Sequence, residues 1–333
     1  MTCRICGSVK VSRLGEVEYY SGYAWPVYDC RECLCRFTRH DDSTYDTLHR
    51  DSGTCYDVYR LLQERCTQAF VNRDLDGLRY ELAQNSKYKF IIEGVERGSR
   101  NASLLEIGCS RGYLTSYFIL AGYNIIGVDV SESALAFARA AFGDYFAMRG
   151  DSVVTDRAPY DVIYHVGTIG CVSDPLGLTR QLLSMLKPGG RLMFNSPNLQ
   201  SCWLTNQLWI DAAPPPDLVA IFPPGFWARC FADQAYVEEQ IEHCDPNKGL
   251  SIGLRKLFGR KWKCPLPIPL DKSSELYLKG SNGTALNGHR PRIGDEAWRF
   301  FERAVLKVCR DTGLLRHVRK EPSEFGLFVS MTR

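Results

Sequence analysis

The sequence predicts an α/β fold: a mostly parallel sheet wrapped by helices, with a small cysteine-rich element ahead of it and a long insertion inside it. Three observations carry this reading. Leu104 to Asp129 runs as a short apolar stretch, a glycine-bearing loop from Gly108 to Gly112, a helical stretch, and a second apolar stretch closed by an acid. Strand, loop, helix, strand, acid is the first half of a nucleotide-binding α/β unit. Apolar runs then alternate with helical patterns as far as Asn195, which parallel sheets require because each crossover is a helix. Finally, Cys3, Cys6, Cys30, Cys33 and Cys35 crowd the start of the chain.

In chain order, Cys3/Cys6 and Cys30/Cys33 form two CxxC knuckles. Each presents two thiolates, and together they supply the four corners of a tetrahedral zinc site, closed and therefore structural. Cys35 is a spare thiol, and His40 and His49 are weaker candidates. The aromatic-rich stretch between the knuckles suits the short strands of a ribbon, residues 1–40, too small to fold without its metal. Residues 41–100 form a helical lid or linker, with helices expected at Asp57–Phe70 and Gly77–Glu96.

The domain expected over residues 101–333 begins with Leu104–Ile107. A ligand can approach backbone at Gly108 and Gly112. Asp129 follows Gly108 by about 20 residues, where an acid can accept the hydroxyls of a ribose. A dinucleotide loop would carry glycines at 108, 110 and 113; here stand Gly108, Ser110 and Tyr113, so a pyrophosphate is a poor fit. Ser131 caps the next helix, Tyr145–Met148 is a third strand, and Asp151 and Ser152 follow it. Tyr160–Val166 is the fourth strand, and the edge at its carboxyl end, where an acceptor is expected, runs from His165 to Cys171. Asp174-Pro175 opens a helix to Leu186, and a Lys-Pro-Gly-Gly turn from Lys187 leads into strand five, Arg191–Asn195. Asp295–Thr312 has the spacing of an amphipathic helix, and Leu314–Arg319 and Phe325–Met331 form a plausible antiparallel pair. Ser196–Arg292 remains as an insertion rich in proline and aromatic residues, a candidate lid or acceptor-binding element.

The stretch from Glu106 to Gly112, EIGCSRG, resembles motif I of the class I S-adenosylmethionine (SAM)-dependent methyltransferases, and the Lys-Pro-Gly-Gly turn is frequent in that family. The resemblance implies a Rossmann-like seven-stranded sheet with a SAM site. Glu106 would face the cationic end of SAM. Gly108, Cys109, Ser110, Gly112, Asp129 and Val130 would line the cofactor, with Asp151 and Ser152 near the adenine. The segment before the SAM domain usually lids the cofactor pocket in this family, which makes Tyr45, His49 and Tyr56 candidates to face a substrate. His165, at the strand-four edge, is either a general base or a contact to the methionine moiety. Several bacterial small-molecule and sugar methyltransferases of this family carry an N-terminal zinc ribbon, as does a ribosomal RNA methyltransferase family.

A net charge of +3 is too small to argue for nucleic acid or membrane. No apolar run approaches the roughly 20 residues of a membrane span, and the opening residues lack a secretory signal, so a cytoplasmic protein is expected. The leading expectation is methylation, at O or C, of a sugar or metabolite intermediate. Between Asp245 and Arg292 basic residues outnumber acidic ones by seven, suiting either an anionic acceptor or a solvated face. The alternative is an RNA methyltransferase gripping nucleic acid with ribbon and insertion. Residues 1–50 oppose it, because their charges cancel. A non-catalytic scaffold is opposed by the intact Glu106, Gly108, Gly112 and Asp129.

Overall fold

The computed structural model describes residues 1–19, 23–39, 57–205, 207–210, 213, 215, 217–243, 301, 304–305, 308–309, 312 and 322–333. Four strands make a small sheet in the order β1-β2-β3-β9: β1 (Val11–Tyr19), β2 (Tyr23–Cys30), β3 (Arg36–Phe37) and β9 (Ala220–Ile221). The large sheet has seven strands in the order β10-β11-β8-β7-β4-β5-β6. Its parallel part comprises β4 (Ser103–Ile107), β5 (Asn124–Asp129), β6 (Phe146–Met148), β7 (Tyr160–His165) and β8 (Leu186–Ser196). β11 (Pro322–Thr332) pairs antiparallel with both β8 and β10 (Tyr236–His243).

The chain leaves β4 toward β5 and β6, then returns to the other side of β4 as β7. This reversal opens a crevice beyond the carboxyl ends of β4 and β7, the place where open α/β sheets bind ligands.

Alternation along the strands divides the core in two. Leu104, Ile125, Val162, Tyr164 and Met193 face one side. They meet α2 (Leu75–Ala83), α3 (Ser86–Glu96) and α4 (Tyr113–Leu120) through Leu78, Leu82, Ile91, Val95, Leu114 and Phe118. Leu105, Ile126, Ile163, Leu192, Phe194 and Val329 face the other side. There they pack with Leu182 and Leu183 of α7 (Pro175–Ser184) and Phe226, Trp227 and Phe231 of α9 (Phe226–Phe231). Each such side chain contributes about 1.5–3 kcal/mol by leaving water. α1 (Asp57–Val71) leans on α2 and α4, α5 (Glu132–Phe142) and α6 (Ser152–Asp156) flank β6, and α8 (Leu199–Thr205) follows β8.

The expected caps form. Ser131 Oγ accepts from Ala134 N at 3.3 Å, and Asp174 Oδ1 accepts from Gly177 N at 2.8 Å with Pro175 at the first turn. The helix expected over Gly77–Glu96 is instead two, because Asn85 sits extended and its side chain accepts from Lys87 N, starting α3 afresh. β11 takes β10 as its second neighbour, so a strand from within the stretch read as insertion belongs to the sheet. Leu314–Arg319 lies outside the described residues, as do Tyr45, His49, Tyr56 and the basic stretch Asp245–Arg292. Of the helix expected at Asp295–Thr312, the described Phe301, Ala304, Val305, Val308 and Cys309 are helical.

Candidate functional site

The loop after β4 turns through three left-handed residues, Gly108 (φ 72°), Ser110 (φ 50°) and Gly112 (φ 76°). Asp129, at the end of β5, holds it there. Its Oδ2 accepts from Ser110 N at 2.7 Å, and its Oδ1 from Val130 N at 2.8 Å and Ser131 N at 2.9 Å. Burial raises the Asp129 pKa, and the three backbone donors act against that rise. Two carboxylate oxygens offer about four lone-pair positions, so capacity remains for a ligand hydroxyl. Ser110 is exposed and Val130 half-buried beside it. One strand over, Asp151 and Ser152 are exposed at the start of α6, where Asp151 Oδ2 accepts from Met148 N at 2.8 Å.

Other expected site residues lie inside the fold. Glu106 is 3% exposed and its Oε2 accepts from Thr115 and Tyr164 hydroxyls, tying β4 to α4 and β7. Burial pushes its pKa up to about 7. Cys109 is buried against Gly127. Gly112 is buried too, and what a side chain there would meet is the Phe146 ring at 2.5 Å. Close packing of the loop on β6, rather than approach of a ligand, demands that glycine.

His165, expected as a base or as a contact to the methionine moiety, lies deepest. It is fully buried, both ring nitrogens lack a hydrogen-bond partner, and the ring stacks on Phe194 at 4.6 Å. Burial lowers its pKa to about 3. Residues alternate across a strand, so His165 shares the Ile163 face and points into the core, away from the crevice.

The edge beyond His165 is formed by Gly167–Cys171. Gly167 N donates to Asn195 Oδ1 at 2.8 Å, fixing the loop to the end of β8. Thr168 lies over Gly108, its Oγ1 2.3 Å from where a Cβ on that glycine would sit, and donates to Ile107 O at 3.3 Å. Thr168 lies within the edge expected at His165 to Cys171, but nothing in the sequence distinguishes it from its neighbours. Two amides beyond β8, Asn198 Nδ2 and Gln200 Oε1, are buried without a partner. Arg111 Nη1 donates to Gln63 Oε1 at 2.6 Å and its guanidinium lies 5.1 Å over Phe137, so α1 and α5 both grip the loop.

At the other end, the sulfurs of Cys3, Cys6, Cys30 and Cys33 all lie within 4.8 Å of one another. Cys3 and Cys33 sulfurs are 3.7 Å apart, and Cys6 and Cys30 sulfurs 3.6 Å. Four sulfurs at about 2.3 Å from one zinc stand about 3.8 Å apart, so the set fits that ion. The knuckles match: Gly7 N donates to Cys3 O and Leu34 N to Cys30 O, and both Gly7 (φ 75°) and Leu34 (φ 64°) are left-handed. Cys35 faces the core instead and is not part of the set.

Residues 77–239 match the family described as "Methyltransferase domain". A ubiquinone biosynthesis O-methyltransferase of Ruegeria pomeroyi is 30% identical over 103 residues, covering 29% of this chain and 42% of that protein. One of Bordetella bronchiseptica is 29% identical over 102 residues, covering 28% and 42%. The match thus spans about two fifths of these curated relatives' length. Among solved structures, the YcgJ protein of Bacillus subtilis has a TM-score of 0.40 at 14% identity, covering 74% of this chain and 97% of that one. A SAM-dependent methyltransferase from Archaeoglobus fulgidus has a TM-score of 0.38 at 18% identity, covering 74% and 100%.

Proposed function

We propose that residues 77–239, which match the family described as "Methyltransferase domain", form a class I SAM-dependent methyltransferase domain, and that this protein transfers the methyl group of SAM to a small-molecule acceptor. The carrying observation is the switch point of the sheet, between β4 and β7, beside which Ser110, after β4, is exposed and Asp129, at the end of β5, is half-buried, both within the matched residues. Asp129 would accept from the ribose hydroxyls, Asp151 and Ser152 would meet the adenine, and the loop backbone at Gly108 and Ser110 would line the methionine portion. When bound, SAM supplies a sulfonium-activated methyl group. The chain's own contribution is placement: Asp129 fixes the loop, Thr168 and Gly167 border the approach, and Asn195 holds Gly167 in place. Holding two reactants in line contributes several kcal/mol without an acid or base. The full burial of His165 supports a reaction that does not use it.

Glu106 would act from behind the loop, its charge compensated by the cation of SAM and by the Thr115 and Tyr164 hydroxyls. Cys3, Cys6, Cys30 and Cys33 would hold one structural zinc. The ubiquinone biosynthesis O-methyltransferases among the relatives support a small-molecule acceptor methylated on oxygen, a sugar or other metabolite intermediate being the reading. The basic excess between Asp245 and Arg292 supports an acceptor bearing an anionic group. A reducing compartment, the cytoplasm, suits the free thiols. Among the described residues no helix is long and apolar enough to cross a membrane.

Incubation with methyl-labelled SAM and a cell extract split into small-metabolite and RNA fractions tests the proposal. Label enters the small-metabolite fraction. Label confined to RNA and released by ribonuclease would overturn the acceptor class. Asp129→Ala weakens S-adenosylhomocysteine binding by calorimetry, by tenfold or so; unchanged affinity would sink the ribose assignment.

A further inference from the structure

The ribbon is built into the large domain. Its second knuckle leads past Cys35 directly into β3, and β3 pairs on one side with β2 (Asp29↔Arg36) and on the other with β9 (Arg36↔Ile221). Thr38 N continues this pairing to Val219 O at 3.0 Å. β9 in turn seats the loop at the crevice: Val219 N and Ala220 N both donate to Gly170 O, at 2.8 and 3.1 Å. Gly170 is packed so closely that a Cβ there would lie 2.2 Å from Leu218 and 2.6 Å from Pro197.

Arg36 reinforces the junction. Its buried guanidinium binds both oxygens of Asp29, at 2.8 and 3.0 Å, and reaches across to the carbonyls of Gln207 and Leu208, at 3.2 and 2.9 Å. Val27 of the ribbon shares an apolar cluster with Leu199, Trp209, Leu218 and Ile221 beyond β8. A two-residue strand has almost no stability of its own, so the position of β3 is imposed by the knuckle before it and by β9 beside it.

We propose that the ribbon is the outer wall of the acceptor site, and that a metal at the four cysteines sets the position of Gly167–Cys171 through β3, β9 and the positioning residue Arg36. The word acceptor rests on the methyl-transfer reading; the linkage itself rests on the contacts above. Metal loss then disturbs the acceptor edge and, beyond the Thr168 contact to Ile107 and Gly108, spares the cofactor loop, which Asp129 holds from β5, on the side of β4 away from β7.

Hydrogen exchange by mass spectrometry on metal-loaded and chelator-stripped full-length chain tests this. Stripping raises exchange about tenfold or more over residues 23–39 and, in step, over 167–171 and 217–222. Residues 104–129 keep their protection, and S-adenosylhomocysteine affinity stays within about threefold. In metal-loaded protein, Arg36→Ala raises exchange at 167–171 with metal content unchanged, and Arg36→Lys, which keeps the charge but not the fork, is intermediate. In turnover the acceptor KM rises and the SAM KM does not. Exchange rising only over residues 1–39, or spreading equally into 104–129, overturns the proposal. A failure of the methyl-transfer reading shows separately, as metal-loaded wild type that does not bind S-adenosylhomocysteine, and leaves the exchange comparison standing.

Discussion

Glu106→Gln changes one atom at the centre of the fold and makes a signed prediction about pH. The Glu106 carboxyl is buried, and burial raises its pKa from 4.5 to about 7. The native state therefore holds a proton that the unfolded chain releases, and stability falls as pH rises from about 4.5 to about 7. With about 1.4 kcal/mol per pKa unit, ionisation costs the wild type on the order of 1 kcal/mol at pH 5 and about 3 kcal/mol at pH 8. The group is buried, so solvent screening takes little from this. Gln pays neither cost, and its carbonyl can still accept from Thr115 and Tyr164. Urea unfolding of both proteins at the two pH values reads the difference. The variant gains about 2–3 kcal/mol on wild type between pH 5 and pH 8, and any loss of metal at the lower pH is common to both and cancels. A gap that stays the same at both pH values would refute the assignment of a raised pKa to this carboxyl.

Three further outcomes are expected. Gly112→Ala costs about 3 kcal/mol, from a left-handed backbone and a Cβ against the Phe146 ring. Gly122→Ala (φ 83°, open space) costs only the backbone part, about 1 kcal/mol; equal melting shifts for the two would show that packing is not the reason for Gly112. His165→Leu removes two unpartnered ring nitrogens and leaves stability unchanged or raised by about 1–2 kcal/mol, with methyl transfer retained; a large fall in turnover in a folded variant would restore the ring to the mechanism. Metal analysis gives about one zinc per chain, and a Cys3→Ser, Cys30→Ser double variant has none; equal metal in both would refute the site.

The parts legible in the sequence are those set by local pattern. The strands from Leu104 to Asn195 could be read because buried parallel strands are continuous apolar runs between turn signals. Ser131 and Asp174 announced their helices because a cap is a local hydrogen bond. Asn85 carries the same signal, but the apolar spacing on either side of it runs on, and that concealed the break between α2 and α3. β10 was missed because an edge strand of sequence YVEEQIEH has little apolar pattern to betray it.

By itself, then, the sequence determined the order of strands and helices from Leu104 to Asn195, the glycine loop with its acid, and a four-thiolate set at knuckle spacing, because each is a matter of neighbours along the chain. Only the tertiary structure decided which way side chains point and what distant segments share. It turned His165 into the core, since strand pleating gives alternate residues to opposite faces. It gave Gly112 to the Phe146 ring and set Thr168 over Gly108. It also joined Arg36 to Gln207 and Leu208, far along the chain, because burying a guanidinium requires partners that only folding brings within reach.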